Sequence, residues 1–319
     1  MPEPTDTVTA PGSGTDPGAG RTPSRRQGRP ASTARAAARA VARYAGIVPF
    51  TAYVVLGLII PMIAVAVGAF QNPDTGAWTL QNVNIATHGI YLTGFRESII
   101  LSVLAAVLPA IFGLLIAYAI FTAKRASLLR QVVITMSGVF ANFGGVPLAF
   151  LFITTLGSSG LETQWLKDIG WDVYAGGFSL YTVTGIVVVY MYFQIPLMVL
   201  VILPALEGLR PAWREAAENL GARSWSYWRH VGGPVLMPSV LGSTLLLFGF
   251  GLSAYATAQA LTSGTIPLTS IQIGSFLSGN VIAGQGNVGK ALGLGMVVII
   301  AVVMLFYVLL QRRAAKWLR

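Results

Sequence analysis

Long apolar runs separated by short polar segments set the pattern of this chain. A membrane-crossing helix needs about 20 mostly apolar residues. Six windows reach that length: 45–70, 97–122, 131–156, 181–205, 236–260 and 290–311. Pro49, Pro61, Pro109, Pro147, Pro196 and Pro238 lie in or at the edge of them. A proline is tolerated in a membrane helix where neighbours satisfy the carbonyl it frees. The pattern therefore predicts an all-α polytopic bundle of six transmembrane helices.

Composition agrees. The 319 residues are 54% hydrophobic and 10% charged, with a mean hydropathy of +0.68. A soluble domain carries roughly 25% charged residues, so this chain cannot cover a water-facing surface in the usual way. It has no cysteine, which excludes disulfides and thiol chemistry.

Orientation follows from the cations, which concentrate on the cytoplasmic side of membrane proteins. With the N-terminus inside, the inner segments hold Arg21, Arg25, Arg26, Arg29, Arg35, Arg39 and Arg43, then Lys124, Arg125 and Arg130. They also hold Arg210, Arg214, Arg223 and Arg229, then Arg312, Arg313, Lys316 and Arg319. Only Arg96, Lys167 and Lys290 remain outside. Both termini are expected in the cytoplasm. Residues 1–44 are rich in Pro, Gly, Ser, Thr and Arg, and read as a disordered basic tail. Arg25-Arg26 lacks the apolar followers of an export signal, and the long span after it is expected to be retained. The transmembrane domain is 45–319. Its outer loops are 71–96, 157–180 and 261–289.

The stretch "GQGNVGKA" at 284–291 matches a phosphate-binding loop at Gly284, Gly289 and Lys290. That loop needs a hydroxyl after the lysine to hold Mg²⁺, and Ala291 stands there. It also needs a preceding strand, and none is expected. Gly289 and Gly293 form a G-x-x-x-G spacing suited to close helix packing. No cofactor is expected, and no enzyme activity.

The inner loop 206–235 is the informative one. Pro211 suits the first turn of a helix. Trp213, Ala216, Ala217 and Leu220 then fall on one face, and Arg214 and Glu218 are i, i+4 neighbours. Gly221 closes the helix in a left-handed conformation. Ser224 is expected to cap a second short helix carrying Trp225 and Trp228, and Pro234 and Pro238 to mark the turn into the fifth span. These residues alone leave two readings open: a helix lying on the bilayer, or a docking element for a cytoplasmic partner.

The stretch resembles the loop of permease subunits in type I, binding-protein-dependent ABC importers. That loop reads E-A-A, three residues, G, about nine residues, an aliphatic residue, any residue, L-P. Glu215-Ala216-Ala217, Gly221, Val231 and Pro234 fit it, while Gly233 replaces the usual Leu. The departure touches the packing of the second short helix. The resemblance covers about residues 90–310. It implies a type I ABC importer permease fold, in which two permease chains, copies or sisters, form the path across the membrane. It implies ATPase subunits below, seated on the 212–221 helix, and an extracytoplasmic solute-binding protein above. Glu215 would make polar contact with the ATPase, Ala216, Ala217 and Leu220 the close fit, Gly221 and Pro234 the turns. MYFQIPLMVL at 191–200 and FANFGGVPLAF at 140–150 resemble the polyamine, iron and phosphonate branch, which implies a small charged solute. Nucleic acid is not an expected partner.

Ionisable residues within spans mark function by default. None lies well inside the six windows. Arg96 and Glu97 stand at an edge, and His88 and His230 fall outside. This disfavours the rival readings of a proton-coupled secondary transporter and an intramembrane hydrolase. A channel, or a membrane scaffold with a partner-binding loop, remains as an alternative. Tyr192, Ser253 and Thr257 are neutral polar residues of the spans. So are Asn142, Gln194, Tyr255 and Gln259, the four expected on a translocation path. Asn142 stands beside Gly144-Gly145 and Gln194 before Pro196, where a broken helix exposes backbone.

Overall fold

The computed structural model describes residues 47–123, 128–279 and 285–316. The tail, Lys124, Arg125, Gly284 and Arg319 lie outside the described residues. The chain divides into two units, Met1–Ile59 and Ile60–Arg319. In the first, α1 spans Val48–Val54 with Pro49 in its first turn, and a π-helical turn follows over Val55–Ile59.

The second unit holds α2 (Ile60–Ala69), α3 (Gln81–Ala86), α4 (Gly89–Thr122), α5 (Leu128–Ala141) and α6 (Gly145–Leu156). Then come α7 (Leu161–Asp168), α8 (Val183–Glu207), α9 (Pro211–Asn219) and α10 (Ser224–Tyr227). A π-helical turn at Trp228–Gly232 leads into α11 (Gly233–Ser253), followed by α12 (Ala256–Thr262), α13 (Thr269–Leu277) and α14 (Val288–Lys316). Among the described residues there is no β-strand, only an isolated bridge between Gln71 and Trp78.

By length and composition, six segments suit a membrane: Val48–Ala69, Gly89–Thr122, Gly145–Asp168, Val183–Glu207, Ser224–Ser253 and Val288–Arg312. Two expected windows are corrected. The third, 131–156, is broken between α5 and α6. The fifth, 236–260, starts earlier, at Ser224, and ends at Ser253. Two outer loops expected to be plain carry helices α3 and α7, and the third carries α13. The second span is longer than expected, because α4 starts at Gly89. At 1.5 Å per residue its 34 residues run about 51 Å, well past a 30 Å hydrocarbon layer. Arg96 and Glu97 fall within its projecting first turns.

Lipid tails are as apolar as leucine, so burial alone does not hold these helices together; close packing and hydrogen bonds do. The packing uses small residues. A Cβ on Gly113 of α4 would stand 2.5 Å from that of Met198 on α8 and 2.9 Å from the Ile195 carbonyl. Gly251 of α11 approaches the Ser102 backbone, and Gly295 of α14 lies under Phe95. The G-x-x-x-G pair also packs: Gly289 against Phe276, Gly293 against Val65. One core joins α4, α8 and α11 through Ala106, Ala110, Met198, Ile202 and Leu247. A second surrounds Leu148, Tyr190, Ala258 and Leu268, where α6 and α12 meet.

At one end, side-chain amides tie the chain together. Asn82 and Asn287 both donate to the Gln71 carbonyl, at 2.8 and 2.7 Å, and Gln272 donates to the Ile90 carbonyl at 2.9 Å. At the other end, Arg130 of α5 is ion-paired with Glu207 at the close of α8. The segment α9 to α10 lies at this second end.

Candidate functional site

Leu206 and Leu209 are sunk in the core, so the chain leaves α8 from a fixed point. Pro211 then opens α9 as a helix start without a missing donor. None of the nine residues of α9 is buried. Glu218 accepts a hydrogen bond from Arg214 Nε at 2.9 Å, and this bond holds the guanidinium protonated above its ordinary range. The Arg210 guanidinium lies 5.9 Å over the Trp213 ring, within cation–π reach.

The end of α9 is a Schellman motif. Gly221 sits at φ +76°, its N–H donates to the Glu218 carbonyl at 2.9 Å, and Ala222 N–H donates to Ala217 at 2.9 Å. Two last carbonyls of the helix are thereby satisfied, and the chain turns back sharply. Ser224 is not the cap expected of it: Arg223 holds the cap position, and no side-chain cap bond forms. The return to the fifth span is also earlier than expected. Pro234 stands exposed in the first turn of α11, and Pro238 lies inside that helix.

Between them the π-helical turn explains Gly233. The Gly233 N–H donates to the Trp228 carbonyl in the wide i→i−5 pattern. A Cβ there would stand 2.6 Å from that same oxygen, so the family's leucine does not fit this backbone. Trp228 in turn meets Tyr118 of α4 edge-on, with ring centroids 5.4 Å apart. Tyr118 is the anchor that sequence reading missed; no local spacing links it to the loop.

The structure thus carries Glu215, Ala216, Ala217, Leu220 and Gly221 on one short element that projects from two anchors. Glu215, Ala216 and Gly221 are exposed, Ala217 is half-buried, and Leu220 is 87% exposed. Nearby Trp225 is 75% exposed. Among the described ion pairs none involves Glu215.

The neutral polar residues fall into distinct places. Asn142 is exposed at the end of α5, its Nδ2 donating to Gly138 at 2.9 Å. The chain then breaks, and Gly145 starts α6 at φ +75°. A second break follows Ser253. The Ala254 carbonyl accepts from Tyr190 OH at 3.2 Å and Ser270 Oγ at 3.3 Å instead of from its own helix. Thr257 joins the two breaks: its hydroxyl accepts from Gly145 N–H at 2.9 Å and donates to the Gly145 carbonyl at 3.2 Å. Tyr255, beside this junction, is partly exposed and packs over Gly274. Gln259 is half-buried with its Oε1 unbonded.

Gln194 differs. Helix α8 continues past Pro196 without the break expected there, and Gln194 is fully buried with both amide atoms unbonded. Each such loss ordinarily costs about 1–3 kcal/mol. An open apolar groove of about 510 Å³ runs between α11 and α14, from Gly242 and Tyr307 to Ser253. Among the described residues no group of His, Asp and Glu could hold a metal.

This architecture is the all-α fold of a type I ABC importer permease chain. It superposes on a chain in the crystal structure of a bacterial ABC transporter involved in the import of the acidic polysaccharide alginate. The TM-score is 0.72 at 21% identity, covering 88% of this chain and 98% of that one. Among curated proteins, the chain is similar to the sulfate transport system permease protein CysT of Escherichia coli. Identity is 27% over 206 residues, 64% of this chain and 69% of that protein. A probable cysT of Nephroselmis olivacea is 25% identical over 223 residues, 69% of this chain and 72% of its own length. The thiamine transport system permease protein ThiP of Salmonella typhimurium is 27% identical over 227 residues, 67% of this chain but 39% of ThiP. No protein-family model matches. The expected polyamine, iron and phosphonate branch finds no support: sulfate and thiamine systems stand in its place.

Proposed function

We propose that this chain is the permease subunit of an ATP-driven importer, working in a bacterial inner membrane with both termini in the cytoplasm. The observation that carries the reading is the projecting α9, exposed along its length yet held at both ends by buried residues. A plain bilayer-surface helix would turn Trp213 and Leu220 into lipid; here the chain below α9 is fixed in position instead. ATPase subunits dock there, a second permease completes the path, and a solute-binding protein delivers from outside. The chain hydrolyses nothing itself. Glu215 supplies a polar contact, Ala216 and Ala217 close approach, Leu220 an apolar contact and Gly221 the turn, with Pro234 starting the return helix.

The path runs beside the two helix breaks. Asn142 and Tyr255 line it, with Gln259 behind them, and Gln194 enters it when the helices part. The solute is a small oxyanion of the sulfate type, ahead of thiamine. Support comes from the names of the relatives and from the lack of a carboxylate midway along the described spans, which an organic cation would call for.

The test is purification of the chain from native membranes in mild detergent, with bound proteins identified by mass spectrometry. An ATPase should co-purify in stoichiometric amount and fall at least tenfold on Glu215→Arg. Absence of any ATPase while the helical fold is intact sinks the reading in favour of a secondary transporter, channel or scaffold. Uptake of radiolabelled sulfate against labelled thiamine decides the solute, and Asn142→Leu should lower uptake while the ATPase stays bound.

A further inference from the structure

Gln194 sits where its packing gives it no bond. Buried amides are ordinarily paired, so an unpaired one calls for an explanation. Its face of α8 also carries Tyr190 and Met198, one turn to either side. Both neighbours are tied to other elements. Met198 packs on Gly113 of α4, and Tyr190 holds the Ala254 carbonyl at the end of α11. Gln194 is thus sealed at the seam of α4, α8 and the break after α11, with neither Oε1 nor Nε2 bonded to protein. A leucine would fill the same space without stranding two polar atoms.

We propose that Gln194 is a state-dependent positioning residue of the transport path. In this conformation it is sealed and unbonded. When α11 parts from α8, its amide becomes hydrogen-bonded to solute or water on the path. The Ala254 junction is the place for that parting, because two side chains from other elements hold it rather than a continuing helix. The unbonded amide raises the free energy of the sealed state relative to the parted one. Less work is then left for the ATP-driven step that parts α11 from α8. The transport part of this inference rests on the importer function proposed above; the stability part does not.

Gln194→Leu removes both unbonded atoms at nearly constant volume. In the purified full-length chain its unfolding midpoint should rise by about 3 °C or more. In proteoliposomes holding the whole transporter, uptake should fall at least tenfold with the ATPase still bound. A midpoint that is unchanged or lower overturns the proposal, because the amide is then already satisfied in the sealed state. A second measurement uses the natural absence of cysteine. Gln194→Cys carries the single thiol, which a small hydrophilic reagent should reach during ATP turnover and not in its absence. Equal labelling in both conditions, or none in either, overturns the proposal as well. If no ATPase binds at all, the importer reading fails and takes the transport part of this inference with it, while the Gln194→Leu midpoint still decides the stability part.

Discussion

Gly221 shows how one residue fixes the shape of α9, the proposed docking element. A Cβ there would touch nothing within 4 Å, so the cost of replacement lies wholly in the backbone. A left-handed conformation costs an ordinary residue about 1–2 kcal/mol. Gly221→Val should therefore unravel the end of α9 and lower ATPase co-purification about tenfold. Gly221→Asn, which tolerates that conformation, should keep most of it. Asp172 gives a residue-scale pH effect at the other end. Its carboxylate accepts from the Ala175 and Tyr174 N–H groups and pairs with Lys167 at 3.3 Å. The Ala175 N–H, and then Lys167, hold it below the ordinary carboxylate range. A lowered value stabilises the folded turn above about pH 4. That contribution disappears as pH falls through the lowered value. Protection of amides 173–176 against hydrogen exchange, relative to an unstructured peptide at the same pH, should fall there, and Asp172→Asn should remove the pH step.

At the scale of elements, the breaks in the helices are the informative features. The first was legible: Gly144-Gly145 beside Asn142 marks a break in any apolar run. The second was not. Ser253-Ala254-Tyr255-Ala256 contains no proline or glycine, and the helix ends because Tyr190 and Ser270 offer the Ala254 carbonyl better partners than its own next turn. Those partners stand 64 and 16 residues away from Ala254, and Thr257 ties the same junction to Gly145, 112 residues away. Thr257→Val should cost about 0.6–1.7 kcal/mol for each of the two bonds lost, read as a lower unfolding midpoint. The π-helical turn was equally hidden. Gly233→Leu restores the family's residue, yet it drives a Cβ onto the Trp228 carbonyl. It should destabilise the chain by about 1–3 kcal/mol, the usual cost of overpacking.

For the whole molecule, the two ends carry different chemistry. Amide-to-carbonyl ties hold one end, while the other bears the Arg130–Glu207 pair and the projecting α9. From the cation bias we propose that the second end faces the cytoplasm. Single cysteines test this in the cysteine-free chain. A membrane-impermeant maleimide should label Asp74→Cys in intact cells and Trp225→Cys only after the membrane is opened. The reverse pattern would invert the topology.

The sequence by itself determined the six apolar segments, their all-α character and the outline of α9. Each of these is written in local terms: twenty apolar residues, a proline at a helix start, a glycine at its end. Only the tertiary structure decided where the fifth span breaks, that Trp228 after α9 packs against Tyr118 of α4, and that Gln194 is sealed without a partner. Each of those depends on groups far apart in the chain competing for one carbonyl or one volume. No local pattern records the winner of that competition.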